Sequence, residues 1–323
     1  IYGNPSLTNL MSTNVLSTIG GDLSLLQTAL TSLTGLGGVT SVGNDVYINN
    51  NAALTSLTGL NALTTVGWSL QIQSNAALTT LSALGALTTI GQGILIDGNA
   101  SLTSLNGLGA VTVINGGLVI SNNASLTNLT GLGAFTTLPA GLTVTGNASL
   151  TNLTGLGALT SITGTFSLQS NNALTNLTGL EALTTVTGGL TIRLNPVLAN
   201  FTGMGALTSV TGAFTASDNA GLVNFTGLTA LTSLSGYVRI ENNAALTSLN
   251  GLNTLNSTGS LSISNDDALT DLSGLGGLTT IGGVLSIGNH NSLTSLTGLS
   301  SLTTVANGVG IYQNAALANL SGL

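Results

Sequence analysis

The sequence predicts an all-β-type solenoid, β-helix-like, of about 13 coils of 24 residues, with one short parallel strand per coil and little or no helix. Three observations predict it. A leucine column recurs at a fixed period along the chain, the apolar spacing inside each period is three and then two, and Gly and Thr are too frequent in every unit for a helix.

The period is read from the leucine that follows Asn-x-x. Leu30, Leu54, Leu78, Leu102, Leu126, Leu150, Leu174, Leu198, Leu222 and Leu246 are 24 residues apart, and Leu269, Leu293 and Leu317 continue the series after a one-residue deletion near Asn256. Between Asn51 and Ser74 the unit reads N-x-x-L-T-x-L-x-G-L-x-x-L-T-x-V, followed by L-x-I. Leu54, Leu57, Leu60, Leu63 and Val66 are spaced by three, which fits neither the 3.6 of a helix nor the 2 of a strand. It fits chain that turns repeatedly and keeps one side chain inward per short segment. Leu70-x-Ile72 is the strand signal. One coil cannot bury its own leucines, whereas stacked coils share an apolar interior, so residues 1–323 read as a single continuous repeat domain.

An asparagine column accompanies the leucines at Asn51, Asn75, Asn99, Asn123, Asn147, Asn171, Asn195, Asn219 and Asn243. Asn bonds neighbouring backbone at turns and tolerates left-handed conformations, so this column is expected to form a structural ladder. It degrades to Asp266 and His290 and returns at Asn314.

Leu70-x-Ile72-x-x-Asn75-x-x-Leu78 and its equivalents cover essentially the whole chain and resemble a leucine-rich repeat. The strand-plus-turns form of receptor L-domain-like repeats in microbial and algal surface or ice-binding proteins is the nearest likeness. That resemblance implies a solenoid used for recognition, without naming the ligand. The chain departs from common members in lacking charged coils and cysteine-bearing caps. Ile1 and Leu323 both fall inside a unit, so the array is expected to extend further or to cap itself with ordinary coils, and end-to-end self-association is one expected consequence. No charged, apolar leader follows Ile1, so a preceding segment is expected to have been removed.

Composition narrows the function. Charged residues are 3% of the chain, with two Lys plus Arg against nine Asp plus Glu, giving a net charge of −7. Such a surface cannot grip phosphate backbones, so nucleic acid is not an expected partner. The mean hydropathy is +0.53, yet Thr, Asn and Gly interrupt every apolar run before the ~18 residues of a spanning helix. There is no cysteine, hence no thiolate metal site. The titratable inventory is His290, nine scattered acids, Arg193 and Arg239, too few convergent groups for catalysis, so no enzyme, metal or cofactor is expected. Asp266, Asp267 and Asp271 form an acidic cluster whose spacing does not match an EF-hand, leaving a weak surface calcium site as the alternative to plain turn residues.

The remaining signals lie on the surface. Sequons share one register at Asn128, Asn152, Asn176, Asn200 and Asn224, candidates for N-glycosylation in a secreted protein. One threonine column runs Thr40, Thr64, Thr88, Thr112, Thr136, Thr160, Thr184, Thr208 and Thr232, with Thr65, Thr89, Thr137 and Thr185 beside it. A second runs Thr31, Thr55, Thr79, Thr103, Thr127, Thr151 and Thr175. Coils at strand spacing, about 4.8 Å, would repeat a methyl and a hydroxyl at intervals near those of oxygens in ice. The charge that an ordinary solenoid uses for solubility is missing. These observations point to ice as the partner of a Thr/Ser face, in an extracellular, secreted or cell-surface protein. The rival face is the strand side, where Gln71, Gln73, Leu95, Asp97, Thr191, Arg193, Arg239 and Glu241 vary from coil to coil, as in glycan or protein recognition by an adhesin or filament. Trp68 is there read either as a sugar platform or as packing.

Overall fold

A computed structural model describes residues 1–10 and 15–323. The chain divides into two compact units, Ile1–Leu159 and Thr160–Leu323.

The three-residue leucine spacing has a hydrogen-bonding cause. Leu54 N–H donates to Asn51 O (3.1 Å), Leu60 N–H to Leu57 O (3.0 Å) and Leu63 N–H to Leu60 O (3.1 Å). Each is a single turn that closes and reopens, and each turn delivers one leucine inward. The chain then extends into a strand with alternating burial, as in Leu70–Gln73.

In the first unit these strands are Leu23–Leu26, Val46–Asn49, Leu70–Gln73, Ile94–Asp97, Leu118–Ser121 and Leu142–Thr145, paired in parallel in that order at equivalent residues. In the second unit they are Phe166–Gln169, Leu190–Arg193, Phe214–Ser217, Val238–Glu241, Leu261–Ser264, Val284–Gly288 and Gly308–Tyr312. Helix is confined, among the described residues, to the 3-10 turns Ser82–Leu84 and Ser273–Leu275. The fold is an all-β parallel solenoid.

To the one expected strand per coil the structure adds a second, of two residues. The first unit carries Thr18–Ile19, Ser41–Val42, Thr65–Val66 and Thr89–Ile90 as one parallel sheet. Residues 111–114 form no such strand, and Thr137–Leu138 follows that gap. In the second unit Ser161–Ile162, Thr185–Val186, Ser209–Val210, Ser233–Leu234, Ser257–Thr258, Thr280–Ile281 and Thr304–Val305 pair in unbroken order.

The interior is aliphatic. In one coil Leu174, Leu177, Leu180, Leu183, Val186, Leu190 and Ile192 are fully buried, each contributing about 1.5–3 kcal/mol relative to exposure. Phe201 stacks on Phe225 at 5.1 Å between ring centroids, with Phe214 at 6.1 Å from Phe201. One polar residue intrudes. Thr258 stands where other short strands bring Val186, Val210 or Ile281 inward, and its buried Oγ1 has no hydrogen-bond partner. Thr258→Val is therefore expected to raise stability by about 1–2 kcal/mol. A urea midpoint that stays put or falls would contradict this.

Candidate functional site: the threonine and serine face

The short strands and the residues flanking them build this face. Within the second unit, Thr160, Thr184, Thr208 and Thr232 are exposed on one side of the strand. Their hydroxyls are not simply presented outward. Thr184 Oγ1 donates to Thr160 O (3.0 Å), Thr208 Oγ1 to Thr184 O (3.0 Å) and Thr232 Oγ1 to Thr208 O (3.3 Å), and the backbone N–H groups of the same threonines reach the same carbonyls. In the first unit Thr40, Thr64 and Thr88 do likewise, Thr64 Oγ1 bonding Thr40 O at 3.0 Å. This column staples coil to coil with the hydroxyl hydrogen and turns its methyl and the remaining oxygen lone pairs to solvent.

Ser161, Thr185, Ser209 and Ser233 form the next column, half-buried between two exposed ones. Among the described residues the Thr185 and Ser209 hydroxyls make no bond within the protein, so both their donor and acceptor capacity face outward. A third column was not singled out in the sequence. Thr163, Thr187, Thr211 and Ser235 sit two residues beyond the second column, on the far side of the inward Ile162, Val186, Val210 and Leu234, and all four are exposed. Thr187 Oγ1 donates to Thr163 O (2.6 Å), and Thr211 Oγ1 to Thr187 O. The signal was the alternation Thr185-Val186-Thr187, a period of two too short to stand out beside the leucines.

Between Thr160 and Ser235 the second unit thus holds a patch three columns wide, whose third column ends beyond that at Gly259, Gly282 and Ala306. Adjacent rungs lie about 4.8 Å apart, and the second and third columns about 6.6 Å apart along the chain. No charged side chain belongs to it. The first unit is less regular. Its third-column positions are Gly43, Gly67 and Gly91, and beside Thr112 the central place is taken by Val113, 63% exposed. Thr136 and Thr137 are exposed beyond that gap.

The other threonine column serves as a staple too. Thr55 Oγ1 donates to Thr31 O (3.1 Å), Thr79 to Thr55 O (3.3 Å), Thr103 to Thr79 O (3.3 Å) and Thr151 to Thr127 O (3.2 Å). Thr175 occupies the same position in the second unit. It is a single line, flanked by turn residues instead of a sheet. Beside it the sequon asparagines are half-buried and occupied: Asn128, Asn152, Asn176 and Asn200 each accept from the N–H two residues on at 3.0 Å, and Asn224 at 2.9 Å. Ser104, Ser248 and Asp271 close the same turn elsewhere. A turn that needs a short acceptor explains the shared register.

The asparagine column is internal. Asn51, Asn75, Asn99, Asn123, Asn147, Asn171, Asn195, Asn219 and Asn243 are buried to 0–1% exposure. A typical member, Asn195, donates from Nδ2 to Leu168 O and Arg193 O, both at 3.0 Å, and accepts at Oδ1 from Asn171 N–H at 3.1 Å. The residue before each rung turns left-handed, Ser170 at φ 55° and Asp218 at φ 56°, which directs the side chain inward.

On the strand side, the two cations are already paired, Arg193 with Asp218 at 2.9 Å and Arg239 with Glu241 at 2.7 Å. The Arg193 guanidinium and the Asn242 amide offset the burial of Asp218 and hold its carboxyl below the usual range, and the Glu241 carboxylate raises Arg239. Gln71, Gln73, Leu95, Asp97 and Thr191 are half-buried strand residues, and Trp68 is 57% exposed at a turn. The three clustered aspartates do not converge. Asp266 is buried, the Asp267 carboxylate accepts from Asn291 N–H (3.3 Å), and Asp271 accepts from the Ser273 N–H and hydroxyl at 2.9 and 2.6 Å. The calcium alternative is thereby corrected: no group of three His, Asp or Glu that could hold a metal ion occurs among the described residues. None of their helices is long and apolar enough to cross a membrane.

No protein-family model and no curated protein matches the chain. Among solved structures it is similar to a leucine-rich repeat protein from Bacteroides ovatus, at 13% identity and a TM-score of 0.27, the match covering 88% of this chain and 86% of that one.

Proposed function

We propose that this chain is a non-enzymatic, extracellular binding protein that docks on ice through the Thr/Ser face of the second unit. The observation that carries the reading is the three-column patch at Thr184, Thr185 and Thr187 and their equivalents in the four coils from Thr160 to Ser235, regular in two directions and without charge. Ice is a rigid partner of fixed repeat, so a binder gains from groups already held at fixed intervals. The staples supply that rigidity, because each outer-column hydroxyl bonded to the preceding coil cannot rotate away from its rung. The uncommitted hydroxyls of Thr185 and Ser209 then meet water from a fixed position between two rows of methyls.

The purified chain is expected to partition into growing ice and to shape its crystals. Thr185→Lys combined with Ser209→Lys should abolish most of that partitioning, whereas Thr55→Lys with Thr79→Lys, on the single-line column, should leave it nearly unchanged. Equal partitioning by both variants would remove the face from consideration.

A second reading concerns glycans. On the turn side of the second unit Asn265, Asp267, Asn289, Asn291, Gln313 and Asn314 line an open concavity of about 720 Å³, where amides could meet sugar hydroxyls. Saturable glycan binding lost in Asn289→Ala, with ice partitioning absent, would favour it.

A further inference from the structure

Three rungs of the buried ladder are not asparagine, Thr28, Asp266 and His290, and the last two can titrate. An Asn rung that follows another Asn does three things: its Oδ1 accepts the N–H of the preceding rung, its Oδ1 also takes that rung's side-chain amide, and its own Nδ2 donates to the inward strand carbonyl of the preceding coil. Asn243 shows the last with Ala216 O at 3.1 Å, Asn219 with Ile192 O at 2.9 Å and Asn314 with Ile287 O at 3.1 Å. His290 reproduces the first and the last of these. Its Nε2 lies 3.2 Å from Ile263 O, the equivalent strand carbonyl, and its Nδ1 lies 3.3 Å from the Asp266 nitrogen and 3.1 Å from the Asp266 oxygen. Ladder equivalence assigns the tautomer: with Nδ1 accepting the Asp266 N–H in place of an asparagine Oδ1, the proton sits on Nε2 and is donated to Ile263 O. A neutral imidazole thus fills an asparagine's place.

Asp266 reproduces only half of the pattern. Its Oδ1 accepts from Asn243 N–H at 2.8 Å and Asn243 Nδ2 at 3.1 Å. Its Oδ2 is buried and has no partner. By column equivalence that atom stands where an amide would serve the carbonyl of Ile240, the inward residue of Val238–Glu241. An ionised carboxylate cannot donate there.

We infer that Asp266 is a protonated, neutral acid in the folded chain, its Oδ2–H directed to Ile240 O, and that with neutral His290 it makes one proton-sensitive pair of rungs in an otherwise inert ladder. The surroundings favour this state. Burial pushes Asp266 up to about 7 against the two Asn243 bonds that favour its anion, and the carboxylates of Glu241 and Asp267 push the same way. Glu241 is itself paired with Arg239. Burial also lowers His290, against its contacts with the Asp266 and Ile263 backbone and the charge of Asp267.

The linkage has a specific signature. An acid raised by folding contributes stability that is complete below its unfolded value and lost as pH rises toward 7. A histidine lowered by folding acts oppositely, losing stability as pH falls below its unfolded value near 6.5. Between about pH 4 and 6.5 the folded pair holds one proton, on Asp266, and the unfolded pair also holds one, on His290. The two slopes cancel, so the native chain hides both.

Consensus substitutions separate them, and each supplies the ladder residue that the neighbouring coils already use. In His290→Asn the amide protection of Asn243 is expected to fall by up to about tenfold per pH unit between pH 4.5 and 6.5. In Asp266→Asn it should rise with pH over the same range, and in the double variant it should be flat. Carbon-13 spectra of the native chain should show the Asp266 carboxyl titrating near 7. A carboxyl that titrates near 4 beside a doubly protonated His290 would make the rungs an ion pair and overturn the inference, as would flat protection in His290→Asn.

Discussion

Asn195→Ala is expected to destabilise the second unit by about 3–5 kcal/mol, several times the cost of losing an exposed asparagine. The side chain is fully buried. Its removal leaves the Leu168 carbonyl without the 3.0 Å bond from Nδ2 and the Asn171 N–H without its 3.1 Å acceptor. Each buried orphan costs about 1–3 kcal/mol. The Asn219 rung also loses a donor to its Oδ1, at 3.3 Å. By contrast Asn176→Ala, in the half-buried turn, gives up an acceptor to Thr178 N–H that water can replace, and about 0.5–1 kcal/mol is expected. Because repeat arrays open locally, the pair is best compared by hydrogen exchange of the Asn171 and Thr178 amides alongside urea unfolding. A loss below about 1 kcal/mol for Asn195→Ala would mean that the ladder is not what holds the turns in place.

The leucines and the ladder asparagines were legible because each occurs once per coil and neither depends on where the chain goes next. A leucine that recurs every 24 residues must face inward in every coil or in none. The short strand was not legible. Thr185–Val186 is two residues long, and its pairing with Ser209–Val210 comes from the 24-residue register and not from local propensity. With that strand unseen, Thr187 and Thr211 were not singled out beside the columns of Thr184 and Thr185. The hydroxyl staples were also beyond reach, since a threonine's exposure follows from the repeat but the carbonyl beneath it follows from the stacking. At the ladder, His290 read as a turn substitution on position alone. Its equivalence to asparagine emerges only when Nδ1 and Nε2 are set against the Asp266 and Ile263 backbone.

Gly203→Ala should be at least as damaging as loss of a ladder rung, at about 4 kcal/mol, while Gly205→Ala two residues away should cost nothing measurable. Gly203 has φ 110°, a conformation that side-chain-bearing residues rarely adopt, and a Cβ there would stand 2.2 Å from Leu177 O and 2.6 Å from Thr178 N. Both neighbours are backbone, so no side chain can swing aside. The coils must instead separate where Leu177 N–H donates to Thr202 O at 2.8 Å. Losing that bond costs about 1–3 kcal/mol, the backbone strain adds about 1–2 kcal/mol, and Leu177 and Phe201 shift from their buried contacts. A Cβ on Gly205 meets nothing nearer than Gly227 O at 3.8 Å, and its φ is not left-handed. Alanine there even reduces the freedom of the unfolded chain, worth about 0.4–1 kcal/mol in favour of the fold. The comparison isolates coil contact from composition, because the two substitutions are chemically identical. Equal urea midpoints for the two variants would show that the coils can part at Gly203 without loss. The close approach that sets the rung spacing, and with it the regularity of the Thr/Ser face, would then have to be maintained elsewhere in the coil.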